Sequence, residues 1–218
     1  MHRTMTRLLV AALVSAAALV PGVAKAQTDN VTSSKHNMST RSGLTNYGEV
    51  CVYCHTPHGG QIQNAPLWNR GFGSGPYAMY NNAYSSTIDM TVAASPQGVS
   101  LACLSCHDGT IGLDVIINKP NVDTSRAGSG NTMPVNAGQF FANLGTELRN
   151  DHPISITYDN VVDPAFNAAS GGKVGSQLPL YSGRVECGTC HNPHNTTNTP
   201  FLRVANSASN LCKTCHIK

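Results

Sequence analysis

Charge is scarce in this chain. Asp, Glu, Lys and Arg together make up 11 % of its 218 residues, against about a quarter in an ordinary globular domain. A surface so poor in charge has little with which to steer a transient partner by complementary patches. Aromatic residues are also few, at 6 % with one tryptophan, whereas glycine and proline number 20 and 12. Such a chain wraps rather than stacks. Long apolar runs are missing too. Residues 8–20 form one, but it falls short of the about 20 residues that cross a bilayer, and nothing downstream approaches it, so no membrane span is expected. No cysteine is left over for a lipid anchor, because all eight fall into one repeated pattern.

The apolar run belongs to a different device. Arg3 and Arg7 precede it and Ala24-Lys25-Ala26 follows it, so residues 1–26 read as a secretory signal, with the mature chain starting at Gln27. Export through the periplasm to the cell surface or the medium is the expectation. Removing Arg3, Arg7 and Lys25 from the 14 basic residues leaves 11, equal to the 11 acidic ones. A balanced chain of this kind is no nucleic-acid binder.

The repeated pattern is CxxCH: Cys51-Val-Tyr-Cys54-His55, Cys103-Leu-Ser-Cys106-His107, Cys187-Gly-Thr-Cys190-His191 and Cys212-Lys-Thr-Cys215-His216. It is the attachment site of c-type haem. Two thiols three residues apart on one turn each bond a vinyl group of one porphyrin, and the next histidine lies under the iron. Zinc knuckles and redox dithiols also use CxxC, but neither needs a histidine after the second cysteine four times out of four. A disulfide framework would leave those histidines unexplained. Four covalently held haems are therefore predicted. Their propionates outweigh the charge of the ferric cores and make the holoprotein acidic.

Removing 26 residues leaves 192, or 48 per haem, too few for a separate apolar core around each. The expected fold is a mostly irregular, loop-rich multihaem cytochrome c with short helices and at most a small β-hairpin, the haems forming the core. The β-branched runs 111–117 and 154–158 are the candidate strand pair. Residues 125–132 and 168–176, rich in Gly, Ser and Ala, read as surface loops.

Eight histidines follow the signal. His55, His107, His191 and His216 are proximal, and the remaining four, His36, His58, His152 and His194, match the number of sixth positions. Bis-histidine ligation of all four haems follows, with low potentials. Met38, Met79, Met90 and Met133 are alternative ligands in principle, but methionine is more often packing material. His58 and His194 each lie three residues after a proximal histidine, in His55-Thr-Pro-His58 and His191-Asn-Pro-His194. Three residues span about 11 Å at most, too little to round a macrocycle, and Pro57 and Pro193 direct the chain away. Each should ligate a neighbouring haem, which brings redox centres close together.

The chain also repeats internally. His36, CxxCHxPH at 51–58 and CxxCH at 103–107 are matched by His152, CxxCHxPH at 187–194 and CxxCH at 212–216. Two-haem modules at 27–118 and 119–218 within one integrated tetrahaem domain are expected. The simplest assignment sends His58 to the haem of Cys103/Cys106 and His194 to that of Cys212/Cys215, leaving His36 and His152 for the other two. The long insertion after His58 holds Trp68, Tyr77, Tyr80 and Tyr84, which either cover porphyrin faces or pack the protein.

With these motifs in view, CVYCHTPHG, PLWNR, CLSCHDGTIG, NDHPISITYD and CGTCHNPHN, with KHNMS upstream, the chain resembles the paired-CxxCH multihaem cytochromes. More closely it is similar to the tetrahaem extracellular cytochromes of OmcE type, from about Lys35 to the C-terminus. The resemblance implies a subunit of a homopolymeric filament, a nanowire for extracellular electron transfer. It also implies that a histidine of one subunit completes a haem of the next. His36, in the polar segment 27–46, is the expected crossing ligand, since a mobile arm suits that reach. The competing class is a discrete soluble electron carrier. An enzyme is disfavoured because there are enough histidines to close every iron, and no CxxCH motif has lysine in place of histidine.

Overall fold

The computed structural model describes residues 30–61, 65–73, 75–120, 128–134 and 142–217. The predicted signal, Gln27 and part of the predicted 125–132 loop lie outside the described residues. Irregular chain dominates the rest, punctuated by short helices and two-residue strands.

The helices coincide with the CxxCH motifs. A 3-10 turn, Val50–Tyr53, carries the first; α1 (Gly98–His107) carries the second; α2 (Cys187–Cys190) and α3 (Asn210–Cys215) carry the third and fourth. Helix α1 ends where Gly109 takes a φ of +70°, its N–H donating to Cys106 O while Asp108 N–H donates to Leu104 O; glycine accepts that left-handed conformation without a Cβ clash. Helix α2 is a single turn held by a reciprocal cap. The Glu186 carboxylate accepts from the Thr189 N–H, and Thr189 Oγ1 accepts from the Glu186 N–H. In the first, third and fourth motifs the histidine N–H donates back to the carbonyl of the first cysteine, at 2.8, 3.0 and 2.9 Å. That bond curls both cysteines and the histidine into one turn.

Strands are spread over three small sheets rather than one hairpin. β1 (Ala78–Met79) pairs in parallel with β2 (Glu147–Leu148), and β3 (Ile156–Thr157) is antiparallel to β7 (Arg184–Val185). β4 (Ala169–Ser170), β5 (Lys173–Val174) and β6 (Leu178–Pro179) form a three-stranded meander. The run 154–158 therefore yields a strand, but its partner is not 111–117. That segment spends its backbone groups elsewhere: Leu113 N–H donates to Asn131 O, Ile117 N–H to Asn69 O, and the Gly112 and Leu113 carbonyls accept from Arg70. No ladder is left to form. The predicted loop 168–176 lies at the surface but is largely a hairpin, turned by Gly171 and Gly172 at φ +57° and +74°, the two positive angles of a type I′ turn.

Apolar side chains gather in three separate clusters, as befits a chain with little core material. Met38, Tyr47, Tyr53, Leu113, Ile116 and Met133 form one, Met90, Ile156, Tyr158, Val174, Leu178 and Val185 another, and Met79, Leu104 and Leu148 a third. All four candidate methionine ligands are thus packing residues. The predicted modules interlock: Met90 of the first sits in the cluster of the second, and Ala93 N–H and Thr157 N–H donate across the boundary to Ser155 O and Thr91 O. Among the described residues no helix is long and apolar enough to cross a membrane.

Candidate haem sites

Three of the four histidines predicted to be proximal leave their helical turns beside a fixed carbonyl. His55 Nδ1 lies 3.1 Å from Pro66 O, His107 Nδ1 2.6 Å from Ala142 O and His191 Nδ1 2.9 Å from Pro200 O. A carbonyl only accepts, so Nδ1 carries the proton and Nε2 keeps its lone pair, the tautomer a metal ligand needs.

Two of these carbonyls reveal a second, weaker repeat. Thr56 N–H donates to Leu67 O and Asn192 N–H to Phe201 O; Asn69 N–H donates to Cys54 O and Arg203 N–H to Cys190 O. His55 bridges to Trp68 as His191 bridges to Leu202, and Leu67 and Phe201 both have positive φ, +54° and +60°. The segments PLWN and PFLR thus brace the first and third motifs in the same register. Sequence reading passed over this role, although a proline followed by two large apolar residues comes shortly after each HxPH motif.

Six histidines face one another in three pairs. His55 and His194 have ring centroids 6.0 Å apart, His36 and His107 6.2 Å, and His152 and His216 6.4 Å. Metal–imidazole bonds of about 2.0–2.1 Å, with about another 1 Å from nitrogen to ring centre, separate two rings on one ion by about 6 Å. The pairs fit an iron held on both sides. Burial, with His107 close by, lowers the His36 pKa to about 4, so its ring is neutral and able to ligate. Burial likewise lowers that of His107.

These pairs differ from the simplest assignment. His194 faces His55 of the other module, not the fourth motif; His152 faces His216 and His36 faces His107. His36 is not a free arm: it is half-buried, its ring stacked 4.5 Å from Phe201. The segment around it is pinned, with Asn37 capping the short helix Met38–Thr40 and Met38 buried in the first cluster. His58 is exposed, its carbonyl held by Asn118 Nδ2 at 3.0 Å, and His191 is exposed as well. Among the described residues no histidine ring faces either.

The cysteines follow one another in chain order. No disulfide joins any of the eight. Burial pushes the Cys54 thiol up to about 12, with Cys106 the next contributor, and Cys190 up to about 11, with Cys215 the next. Cys103 and Cys187 are neighbours: Cys187 pushes the Cys103 thiol up, and Cys103 pulls the Cys187 thiol down. Around that contact Ser100 Oγ donates to Glu186 Oε2 at 2.5 Å and accepts from Cys187 N–H at 3.0 Å, knitting α1 to α2. Motifs one to four thus adjoin in sequence. Among the described residues no three of His, Cys, Asp and Glu converge as a zinc site would require. Of the aromatics in the long insertion, Trp68 meets the His55 ring edge-on at 5.8 Å and Tyr77 donates to Asp108, while Tyr80 and Tyr84 pack on each other.

A family model described as Doubled CXXCH motif matches residues 179–218, which hold the third and fourth motifs. No curated protein matches the chain. The match supports a multihaem c-type cytochrome: CxxCH motifs bind haem covalently, and proteins of this kind generally transfer electrons rather than catalyse.

Proposed function

We propose that the chain holds four bis-histidine haems and works as an exported subunit of an electron-conducting filament. Cys51/Cys54, Cys103/Cys106, Cys187/Cys190 and Cys212/Cys215 would hold the porphyrins, with His55, His107, His191 and His216 on the proximal side. His194, His36 and His152 would close the first, second and fourth irons. Haem supplies a one-electron ferric/ferrous couple. The protein's part is to fix imidazole tautomers, close the iron positions against small molecules and set the sites in order.

The observation that carries the filament is the remainder. Three histidine pairs face each other within the chain, while among the described residues no histidine ring faces His58 or His191. The repeat supplies a rule for them: the HxPH histidine of the second module faces the first motif of the first module. Continued into a further copy, that rule brings His58 of the next subunit to the third motif, whose histidine is His191. His58 thus replaces His36 as the crossing ligand. Exposed Leu67 and Ile117 lie beside His58 in the chain's packing and would be covered by the contact. Because His58 and His191 are different surfaces, the contact is heterologous and can propagate from copy to copy into an open filament.

Electron microscopy and electron paramagnetic resonance of secreted wild type and His58→Ala test this. Wild type should form filaments with four low-spin haems. His58→Ala should give discrete subunits with one high-spin haem, a signal that vanishes when Cys187 and Cys190 are also replaced. Discrete wild-type subunits with four low-spin haems would establish the soluble carrier instead.

A further inference from the structure

Arg70 is the largest wholly buried side chain described, at 0 % exposure. A guanidinium does not give up its charge in a protein, and burying it without a carboxylate is costly. Its four hydrogen bonds nevertheless all go to neutral oxygens: Nε to Ser105 Oγ at 3.3 Å, Nη1 to Leu113 O at 2.7 Å, and Nη2 to Ser105 O at 3.0 Å and Gly112 O at 2.7 Å. The two fully or nearly buried carboxylates of this half are engaged elsewhere. Asp108 accepts from Tyr77 Oη and Thr110 N–H, and Asp114 from Thr45 N–H and Ser129 N–H. Among the described residues the guanidinium is therefore hydrogen bonded but has no carboxylate in direct contact.

Its position is between two attachment sites. Ser105, which takes two of its bonds, directly precedes Cys106, and Asn69, its own neighbour, donates to Cys54 O at 2.9 Å. The guanidinium thus lies near both Cys54 and Cys106. Arg41, half-buried, adds the same sign from the rim. In the second module the cation beside the corresponding motif is Arg203. It is only half-buried, bonded to Gly188 O at 2.7 Å, and so is better screened by solvent.

We propose that Arg70 is a potential-setting residue, whose buried charge raises the reduction potentials of the haems on Cys51/Cys54 and Cys103/Cys106. The inference rests on the reading that these two pairs carry haem. Reduction places one more electron at the iron, and a fixed cation in a poorly polarisable interior favours the state with that electron. Paired imidazoles set a low starting potential, and Arg70 lifts it in one half of the molecule. Electrons then rest preferentially in the first module of each subunit.

Spectroelectrochemical titration of the holoprotein, with haem counted separately by the pyridine haemochrome assay, tests this. In Arg70→Gln the ferrous-to-ferric ratio of two of the four haems should fall at least tenfold at fixed applied potential, a displacement of about 59 mV for a one-electron couple. Arg70→Lys, which keeps the charge and loses the fork, should restore most of it. Ser105→Ala, which removes a hydrogen-bond partner but no charge, should leave the curve in place. Four haems with an unmoved Arg70→Gln curve overturn the proposal, as does Ser105→Ala shifting as far as Arg70→Gln. If Arg70→Gln does not load haem, Arg70→Lys decides: unchanged potentials support the proposal and a fall overturns it. Fewer than four haems in wild type would instead overturn the underlying reading.

Discussion

His55 and His194 belong to different halves of the chain, yet their rings lie 6.0 Å apart with planes inclined by 22°. The pair ties the first CxxCH motif to the loop that follows the third. His194→Ala should therefore open the first iron position rather than the fourth. The expected result is one high-spin haem in four, able to take up carbon monoxide, and its disappearance when Cys51 and Cys54 are also replaced by alanine. The same signal persisting in that triple variant would place His194 elsewhere.

His36 makes the complementary case. Stacked on Phe201 and facing His107, it is placed to serve its own chain, so on the proposed filament reading His36→Ala should leave assembly intact while one haem per subunit turns high-spin. Microscopy and paramagnetic resonance on one preparation check both halves of the statement. Loss of assembly in His36→Ala would return the crossing role to the N-terminal segment.

Ser100 joins α1 to α2 by donating to the buried Glu186 carboxylate and accepting from Cys187 N–H. Ser100→Ala strands the Cys187 N–H and leaves Glu186 with Ser155 Oγ and the Thr189 N–H, and losing the partner of a buried polar group costs about 1–3 kcal/mol. Denaturant unfolding of the holoprotein should show that loss. Thr189→Ala, which breaks the cap of α2 from the other side, should cost about 1 kcal/mol.

Asp114 gives the fold an acid limit. Burial alone would raise its pKa, but N–H donors from Thr45 and Ser129 overcome that and hold it below the ordinary 3.8. A carboxyl depressed in the folded state contributes stability that is present above the unfolded value and lost as pH falls through the folded one. Unfolding free energy should therefore decline as pH drops below about 3.8, and Asp114→Asn should flatten that part of the decline while lowering stability at neutral pH.

What could be read in advance was what is local. Cys51 to His55 and its three counterparts specify their own turns, because the histidine N–H reaches back only four residues to the first cysteine carbonyl. The glycine pair at 171 and 172 also carried its turn signal, but a run of small residues hid the two flanking strands. The distal pairing was not legible. Whether His194 meets His55 or His216 depends on how the two halves fold over each other, and the identical His-x-Pro-His spelling suggested a rule inside each module where the structure applies it between modules. The partner of Ile156 was hidden for a related reason, since Arg184 and Val185 form too short a run to announce a strand. Arg70 was visible only as part of a motif; its burial follows from three carbonyls and a hydroxyl brought together by tertiary contacts.

The join between Cys103 and Cys187 has a consequence for biogenesis. Two adjoining thiols crowd the approach of a vinyl group to either, and these two belong to different proposed attachment sites. Collapse before loading would hide the reactants and, in an oxidising compartment, invite a misplaced crosslink. On the proposed four-haem reading, porphyrin ligation would come before this seam shuts.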